Sequence, residues 1–389
     1  MSTQIIHSAR LVTPETVEES GWVSFRDGVV EERGTGLEWR TCAARETTTS
    51  IVDAHGAWLT PGFIDIHGHG GGGFSYDNGP EAIRGALDMH RSHGTTRAVI
   101  SLVSAPVADL ANRLSGIAGM MATDGRVLGS HLEGPFLDTG HKGAHEPAFL
   151  VEATAESRER LLAAANGTLR QITVAPERPG GMEAVRAFAA AGVTVAVGHT
   201  GATYDQAREA FDSGASILTH AFNGMDDLLH RAPGPVAAAT RTASVTLEMI
   251  NDGVHVHPEA VRIVSSAAPG RLALITDAMA AAGAHDGDYL LGTLSVRVEH
   301  GIARLTSNGS IAGSTLTLDQ ALQLGVTEVG LDVRDTIRAL TQTPARAIGR
   351  GQDLGQLEPG FAADAVLLDD DFRVLRVWCA GVEHPGALA

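Results

Sequence analysis

Eight short apolar runs recur through the middle of this 389-residue chain and constrain its fold more than any other feature. Each run precedes a stretch rich in alanine, arginine and glutamate, such as GMEAVRAFAAAG or TYDQAREAFDSGA, whose pattern predicts a helix. Continuous apolar runs favour strands buried on both faces, as in a parallel sheet. The runs are Phe63–His67, Arg97–Val103, Val127–His131, Gln171–Ala175, Val193–Val197, Ser216–His220, Ser244–Met249 and Leu272–Thr276.

Eight strand–helix units predict an α/β protein with a (β/α)8 TIM barrel, and a doubly wound open sheet is the alternative. Both ends of the chain instead read as short strands and turns, and neither end can bury a core easily by itself. We therefore expect the two termini to pair into one small β-sandwich module. The predicted boundaries are 1–58 and 352–389 for the module and 59–351 for the barrel that carries the active site.

Composition excludes several classes of protein. With 43% hydrophobic and 19% charged residues the chain is foldable and globular. A net charge of −17 and the absence of any basic run argue against nucleic acid as a partner. No apolar run reaches the length of a membrane span, and no signal pattern opens the chain. Cys42 and Cys379 lie far apart without metal-ligand spacing, so we expect a reducing, cytoplasmic location.

Polar side chains gather where these apolar runs end. Six of the eight runs are followed within a few residues by histidine, glutamate or aspartate. Because the carboxyl ends of all strands of such a barrel meet at one face, where active sites form, we expect these side chains to lie together. They are His67, His69, His131, Glu133, His199, His220, His255 and Asp277.

The spacing of these residues predicts a metal centre. His67 and His69 are two residues apart, so their side chains point the same way from a strand and can share one ion. Histidines at the ends of neighbouring strands, His199 and His220, can share a second, and Glu133 could touch both ions. Imidazole and carboxylate suit Zn²⁺, Fe²⁺, Mn²⁺ or Co²⁺. Asp277 follows the last strand, which lies beside the first when the barrel closes; there it could ligate weakly and act as a base.

Each residue also has an ordinary interpretation. A single histidine at a strand end is usually just hydrogen-bonded, and Asp277 by itself could cap the following helix. The complete set favours the metal site. We assign no chemistry to the histidines in helix or loop contexts, namely His7, His55, His90, His93, His230, His285 and His300.

A series of motifs along nearly the whole chain resembles the amidohydrolase superfamily and, within it, the N-acetylglucosamine-6-phosphate deacetylase family. HLEGPF followed by KGAH, and THAFNGM followed by HRAPG, separate this branch from other amidohydrolases, many of which bridge their metals with a carboxylated lysine. The motifs are LTPGFIDIHGHGGGG, HLEGPF, KGAH, VAPE, VGHTGATYDQ, THAFNGM, HRAPG, DGVHV, TDAM, AGSTLTLD and LEPGFAADAVLLD.

The resemblance implies roles for the metal-site residues. Glu133, His199 and His220 match ligands found throughout the family, with Glu133 in the bridging position. A second pair, His67 and His69, matches ligands that only some members have, which favours two divalent ions per subunit, zinc first. Asp277 matches the catalytic acid and base.

The resemblance also implies a substrate, the acetamide of N-acetylglucosamine 6-phosphate, and a homodimer whose phosphate pocket borrows residues from the partner. His145 matches a residue that contacts the sugar or the scissile amide. The phosphate would be held by Asn223, the backbone of Gly224, Arg231 and His255. Many relatives have alanine where this chain has Gly224, and we expect little change from it. His141 receives no role.

Three alternatives stay open from the sequence. The same chemistry on N-acetylgalactosamine 6-phosphate differs by one hydroxyl. An amidohydrolase of N-acyl amino acids should lack the phosphate motifs. A non-catalytic binding protein of this fold should have lost ligands or the catalytic aspartate.

Overall fold

A computed structural model describes residues 3–45 and 49–385 of the chain. Within these ranges the strands are β1 (Thr3–Val12), β2 (Val17–Arg26), β3 (Val29–Thr35), β4 (Thr49–Asp53), β5 (Trp58–Pro61), β6 (Phe63–Asp65), β7 (Gly70–Gly71), β8 (Phe74–Ser75), β9 (Thr95–Val103), β10 (Val127–Glu133), β11 (Leu169–Val174), β12 (Thr194–Val197), β13 (Ala215–Leu218), β14 (Thr246–Ile250), β15 (Leu272–Ile275), β16 (Gly287–Leu291), β17 (Leu294–Glu299), β18 (Ile302–Leu305), β19 (Ala365–Leu368), β20 (Val374–Cys379) and β21 (Val382–Pro385).

The α-helices in the same ranges are α1 (Trp39–Ala44), α2 (Pro80–Ser92), α3 (Val107–Met121), α4 (Ala155–Ala165), α5 (Gly181–Ala190), α6 (Tyr204–Asp212), α7 (Gly234–Arg241), α8 (Pro258–Ala267), α9 (Leu318–Thr327), α10 (Val333–Leu340) and α11 (Gln342–Ala347). Short 3₁₀ turns occur at Tyr76–Asn78, Thr139–His141 and Pro147–Phe149. None of the helices in the described ranges combines the length and apolarity that crossing a bilayer requires.

The eight predicted strands form one sheet in the order β6, β9, β10, β11, β12, β13, β14, β15. Pairing is parallel from β9 to β15, and one helix, α2 to α8 in turn, lies between successive strands in the chain. A local signal starts α6 where the sequence predicts a helix: Thr203 and Gln206 form a capping box there. The (β/α)8 prediction is confirmed.

Hydrogen bonds at the strand ends join the last strand to the first. Asp277 N–H donates to the carbonyl of His67 at 2.8 Å, and His69 N–H donates to the carbonyl of Ala278 at 2.7 Å. Below them the Thr276 hydroxyl donates to Asp65 at 2.6 Å. These contacts close the barrel and exclude the open-sheet alternative.

Strands from both termini form a second, mixed sheet, as predicted. Its order is β21, β20, β19, β5, β1, β2, β3, with β4 pairing in parallel with β1. Buried residues such as Phe25, Leu59 and Trp378 fill its core. This sheet belongs to a compact unit that comprises Met1–Ile64, His90–Arg97 and Leu318–Ala389, and the other unit comprises Asp65–Met89 and Ala98–Thr317. The domain boundaries at residues 58 and 352 stay a prediction.

Two small antiparallel elements have no counterpart in the sequence prediction. Strands β16 to β18 form a three-stranded sheet after the last barrel strand, and β7 pairs with β8 inside the glycine run. The glycines are needed here, because a Cβ on Gly70 would lie 2.2 Å from the carbonyl oxygen of Phe74. Gly72 and Gly73 have positive φ and donate their N–H groups to carbonyls of the loop 280–282.

Candidate metal centre and active site

Glu133, the last residue of β10, is the centre of the site. Its buried carboxylate lies 3.0–3.3 Å from the Nε2 atoms of five imidazoles. A carboxylate offers about four lone pairs, so five imidazoles exceed what hydrogen bonding alone can use. Such an excess of nitrogen donors around one carboxylate suits a divalent metal centre. Oε1 faces His67, His199 and His220, and Oε2 faces His69 and His145.

The first predicted pair lies just beyond β6 rather than within it. The His67 and His69 rings are edge to face, with centroids 5.3 Å apart, and both Nε2 atoms also approach Asp277 Oδ1, at 3.6 Å and 3.2 Å. His67 Nε2 is buried and makes no hydrogen bond within the described chain. Such an orphaned nitrogen fits a metal ion, and His67, His69 and Glu133 have ligand atoms close enough to hold one.

The second predicted pair, His199 and His220, also fits a metal ion, because one ring nitrogen of His199 is already used as a donor. His199 Nδ1 donates to the carbonyl of His141 at 2.9 Å, which leaves a lone pair on the neutral ring's Nε2. That lone pair faces Glu133 Oε1 and His220 Nε2, each at 3.0 Å. Acceptors this close repel one another unless a proton or a cation lies between them. Glu133, His145 and His199 form a further group with ligand atoms within reach of one ion.

The electrostatics of the cluster agree with this fit. Burial lowers the pKa of His67 and of His69, but nearby carboxylates more than reverse the effect. The pKa of His67 thus lies well above its usual value because of Glu133 and Glu248, and that of His69 rises to about 9 because of Asp277 and Glu133. Protons therefore stand where a divalent ion would bind, and metal binding must release them.

The two acidic groups of the centre are held in their charged forms. Burial raises the pKa of Glu133, but the opposing effect of His67 and His145 is larger and brings that pKa well below its usual value. Burial likewise raises the pKa of Asp277, and the bond from His69 lowers it to below its usual value. Asp277 is thus a carboxylate at neutral pH, as a base must be.

Three residues at the ends of barrel strands adopt left-handed backbone conformations. His199, His220 and Asp277 each follow the last strand residue by two positions, with φ of 48°, 24° and 47°. Such conformations cost roughly 1–3 kcal/mol each for residues other than glycine and concentrate at functional sites. The turn bends the side chain from the barrel wall toward Glu133.

A cavity of about 140 Å³ opens above this cluster. Among its lining residues is His145, whose Nδ1 accepts the N–H of Ser104 at 3.3 Å. The hydrogen of the neutral ring is therefore on Nε2, which faces the site. Burial lowers the pKa of His145 to about 4, so the ring is a neutral donor at pH 7.

Of the residues that resemblance links to a phosphate, three line this cavity and one does not. Asn223, Gly224 and His255 line it, whereas Arg231 is exposed and lines a separate groove of about 560 Å³ with Asp226 and Asp227.

Gly224 has more than the backbone role expected of it. Its φ is +59°, and a Cβ there would lie 2.9 Å from His199 Nδ1. In this chain an alanine would press on a residue of the metal centre.

Two residues that the sequence prediction left without chemistry are tied to the centre. His141 lends its backbone carbonyl to His199, while its side chain contacts Asp138 at 2.8 Å and Asp226 at 3.0 Å. Glu248, in the middle of β14, contacts His67 Nδ1 at 3.0 Å and was missed because it looks like one charge inside an apolar run.

His131 lies below the site rather than in it. Its two ring nitrogens bond to Ser101 and Thr173, each at 2.9 Å, inside the barrel. Both nitrogens are therefore occupied, and His131 is a structural residue. Within the described chain, the seven histidines that were assigned no chemistry neither line the cavity nor surround Glu133.

Comparison with known proteins gives the family. Residues 58–383 match the amidohydrolase family. The chain is 36% identical over 384 residues to an N-acetylgalactosamine-6-phosphate deacetylase of Escherichia coli O157:H7, covering 97% of this chain and 98% of that protein. It is 35% identical over 327 residues to the N-acetylglucosamine-6-phosphate deacetylase of Vibrio furnissii, covering 83% and 82%.

A solved structure resembles the whole chain. It is an aspartate-to-alanine mutant of N-acetyl-D-glucosamine-6-phosphate deacetylase from Mycobacterium smegmatis in complex with N-acetyl-D-glucosamine-6-phosphate. The TM-score is 0.92 at 39% sequence identity, and the match covers 98% of this chain and 99% of the other.

Proposed function

This chain belongs to the amidohydrolase family, and we propose that it hydrolyses the acetamide of N-acetylglucosamine 6-phosphate to glucosamine 6-phosphate and acetate. The observation that carries the proposal is the convergence of five imidazoles on Glu133, beside the ionised Asp277, at the floor of a cavity. Both named relatives and the similar solved structure are deacetylases of phosphorylated N-acetyl amino sugars.

We propose that His67, His69, Glu133, His199 and His220 hold two divalent ions, zinc first, with Asp277 as a weak ligand. When bound, such ions lower the pKa of water from about 15.7 to roughly 7 and polarise a carbonyl. Asp277 removes the proton of the attacking water and returns it to the nitrogen as the C–N bond breaks. His145 donates its Nε2 hydrogen to the carbonyl oxygen or to a neighbouring hydroxyl.

The phosphate is the second anchor of the proposed substrate. His255 and the Asn223–Gly224 turn line the cavity and would hold the phosphate, so that binding energy away from the amide positions the reacting carbon. We propose that Arg231 completes this site across a homodimer interface. Its exposure outside the cavity supports this, as do the neighbouring Leu228 and Leu229, which are 51% and 54% exposed.

The location of the protein is proposed as cytoplasmic. Cys42 and Cys379 are buried and form no disulfide, which agrees with a reducing compartment.

A second candidate is the same hydrolysis of N-acetylgalactosamine 6-phosphate. It is favoured by the relative from E. coli O157:H7, which matches this chain over nearly its whole length. Acetate release from the two epimers, measured side by side as kcat/KM, decides between them. The epimer with the higher value is the substrate, and no release from either would refute both proposals.

The acid–base role of Asp277 is tested by Asp277→Asn. We expect kcat to fall by about 10²–10⁴, because acid–base assistance is lost. Binding of N-acetylglucosamine 6-phosphate should persist, measured by calorimetry with the zinc-loaded protein. His285→Asn, an exposed histidine away from the cavity, serves as the control and should keep normal turnover. Near-normal turnover of Asp277→Asn would exclude the role.

A further inference from the structure

Glu248 is a fully buried carboxylate that the proposed reaction does not use. It lies in the middle of β14 with no exposed surface. Its oxygens contact three groups from three other parts of the barrel: His67 Nδ1 at 3.0 Å, Gln171 Nε2 at 2.7 Å and the backbone N–H of His220 at 3.4 Å. An ionised group buried at this depth is costly unless it is well paired, so these contacts call for a reason.

The contact with His67 fixes which nitrogen of that ring can bind a metal. A carboxylate only accepts, so His67 Nδ1 carries the hydrogen. The other nitrogen, Nε2, points toward Glu133 Oε1 at 3.3 Å and Asp277 Oδ1 at 3.6 Å and makes no hydrogen bond within the described chain. A carboxylate behind a metal-binding histidine holds the ring in orientation and makes it more basic.

The same oxygen, Oε2, also accepts the backbone N–H of His220. One buried carboxylate thus spans from a side chain of the first pair to the backbone of the second. Its contact with the second pair does not touch an imidazole, so loss of its charge should act on the first pair.

We propose that Glu248 is a positioning residue for the first metal site, which orients His67 so that the His67–His69 pair binds a divalent ion; this inference rests on the proposed metal-dependent function. The competing interpretation is a buried ion pair that only stabilises the fold. In that case loss of the charge would change stability and leave metal binding alone.

The test is Glu248→Gln, with Zn²⁺ as the probe. The glutamine introduced at position 248 has nearly the same shape as the glutamate. Gln171 Oε1 has no hydrogen-bond partner in the described chain. If the Gln171 amide flips, this oxygen can accept a hydrogen bond from the new amide. Glu248→Asp is a second variant, which keeps a carboxylate but moves it away from His67 Nδ1 by the length of one methylene. Calorimetric titration of the metal-free full-length proteins with Zn²⁺, together with metal content by mass spectrometry, gives the stoichiometry and affinity of each site.

We expect the wild type to bind two ions and Glu248→Gln to bind one of them about 10–100-fold more weakly. The weakened site should be the one missing in a His67→Ala/His69→Ala double variant, and Glu248→Asp should lie between wild type and Glu248→Gln. Two unchanged affinities, equal weakening of both sites, or a wild type in which the His67–His69 pair takes no ion would each overturn the inference.

A matched control separates this effect from the loss of any negative charge. Asp124 precedes the opposite end of β10, where its carboxylate pairs with Arg126 at 2.7 Å. Asp124→Asn should keep both zinc affinities, and a loss equal to that of Glu248→Gln would count against a positioning role. The proposed function has a separate failure: a wild type that binds no zinc and releases no acetate. An active two-ion enzyme with unaltered Glu248→Gln binding would refute only the inference.

Discussion

At the scale of single residues, the charge of His255 is set by a neighbour three positions away. Asp252 Oδ2 lies 2.6 Å from His255 Nδ1, and Asp252 Oδ1 accepts the N–H groups of Val254 and His255. Burial lowers the pKa of His255, but the bond to Asp252 more than reverses this and raises it above 6.5. Asp252 moves oppositely: burial raises its pKa, and His255 lowers it below 3.8. Both shifts favour the charged forms of the pair.

The sign of these shifts predicts a pH dependence. Because the pKa of His255 is raised, its positive charge persists to higher pH than that of an ordinary histidine and is lost as pH rises through the folded-state pKa. We expect kcat/KM for the phosphorylated sugar to fall in that alkaline range. Asp252→Asn should move the fall to lower pH, because the carboxylate that stabilises the protonated form of His255 has been replaced by a neutral amide.

The control for this pH profile is N-acetylglucosamine without the phosphate, for which the change should be absent. An unshifted midpoint in Asp252→Asn would show that His255 does not govern phosphate binding.

At the scale of elements, the sheet β16–β18 packs one apolar face into the core of the unit that contains the active site. One core cluster contains residues of the loop after β15, such as Met279 and Ala281, together with five residues of this sheet: Leu291, Val296, Val298, Ala303 and Leu305. Leu291 also lines the cavity. The sheet therefore forms part of the cavity wall, although the barrel itself closes without it.

Two adjacent leucines on β16 give a matched test of this packing. Leu291 is 5% exposed and Leu290 is 58% exposed, because successive strand residues face opposite sides. Leu291→Ala should destabilise the sheet by about 2–5 kcal/mol, and Leu290→Ala should stay within about 0.5 kcal/mol. Hydrogen exchange of the β16–β18 amides measures both, and equal effects would contradict the assigned faces.

At the scale of the whole molecule, the metal centre couples the fold to its ions. Five imidazoles and two carboxylates, from the ends of five barrel strands and from the loop after β10, converge in the buried cluster, so an ion bound there would be held by several parts of the fold at once. An ion that binds the folded chain and not the unfolded one adds stability in proportion to the logarithm of its concentration over Kd. Because the chain carries a net charge of −17, the positive charge of bound ions would offset its repulsion of an anionic substrate.

Removal of the metal should accordingly destabilise the protein. We expect a chelator to lower the thermal unfolding temperature, with a loss of about 4 kcal/mol for each bound ion if the free ion had stood at 1,000 times its Kd. Zinc should restore the original value, and the His67→Ala/His69→Ala variant should lose a smaller part of its stability on chelation. Identical unfolding temperatures with and without chelator would refute a resident ion.

The barrel and most of the cluster follow from the order of residues along the chain. Continuous apolar runs report burial on both faces, and all parallel strands end at one face, so residues such as Glu133, His199 and Asp277 could be grouped from their order alone. The groups that contact these residues from behind become apparent only in the folded chain. Glu248 reaches His67 across 181 positions and Gln171 across 77, and the His141 carbonyl reaches His199 across 58. Local pattern carries no signal for such partners, because closure of the barrel alone brings them together.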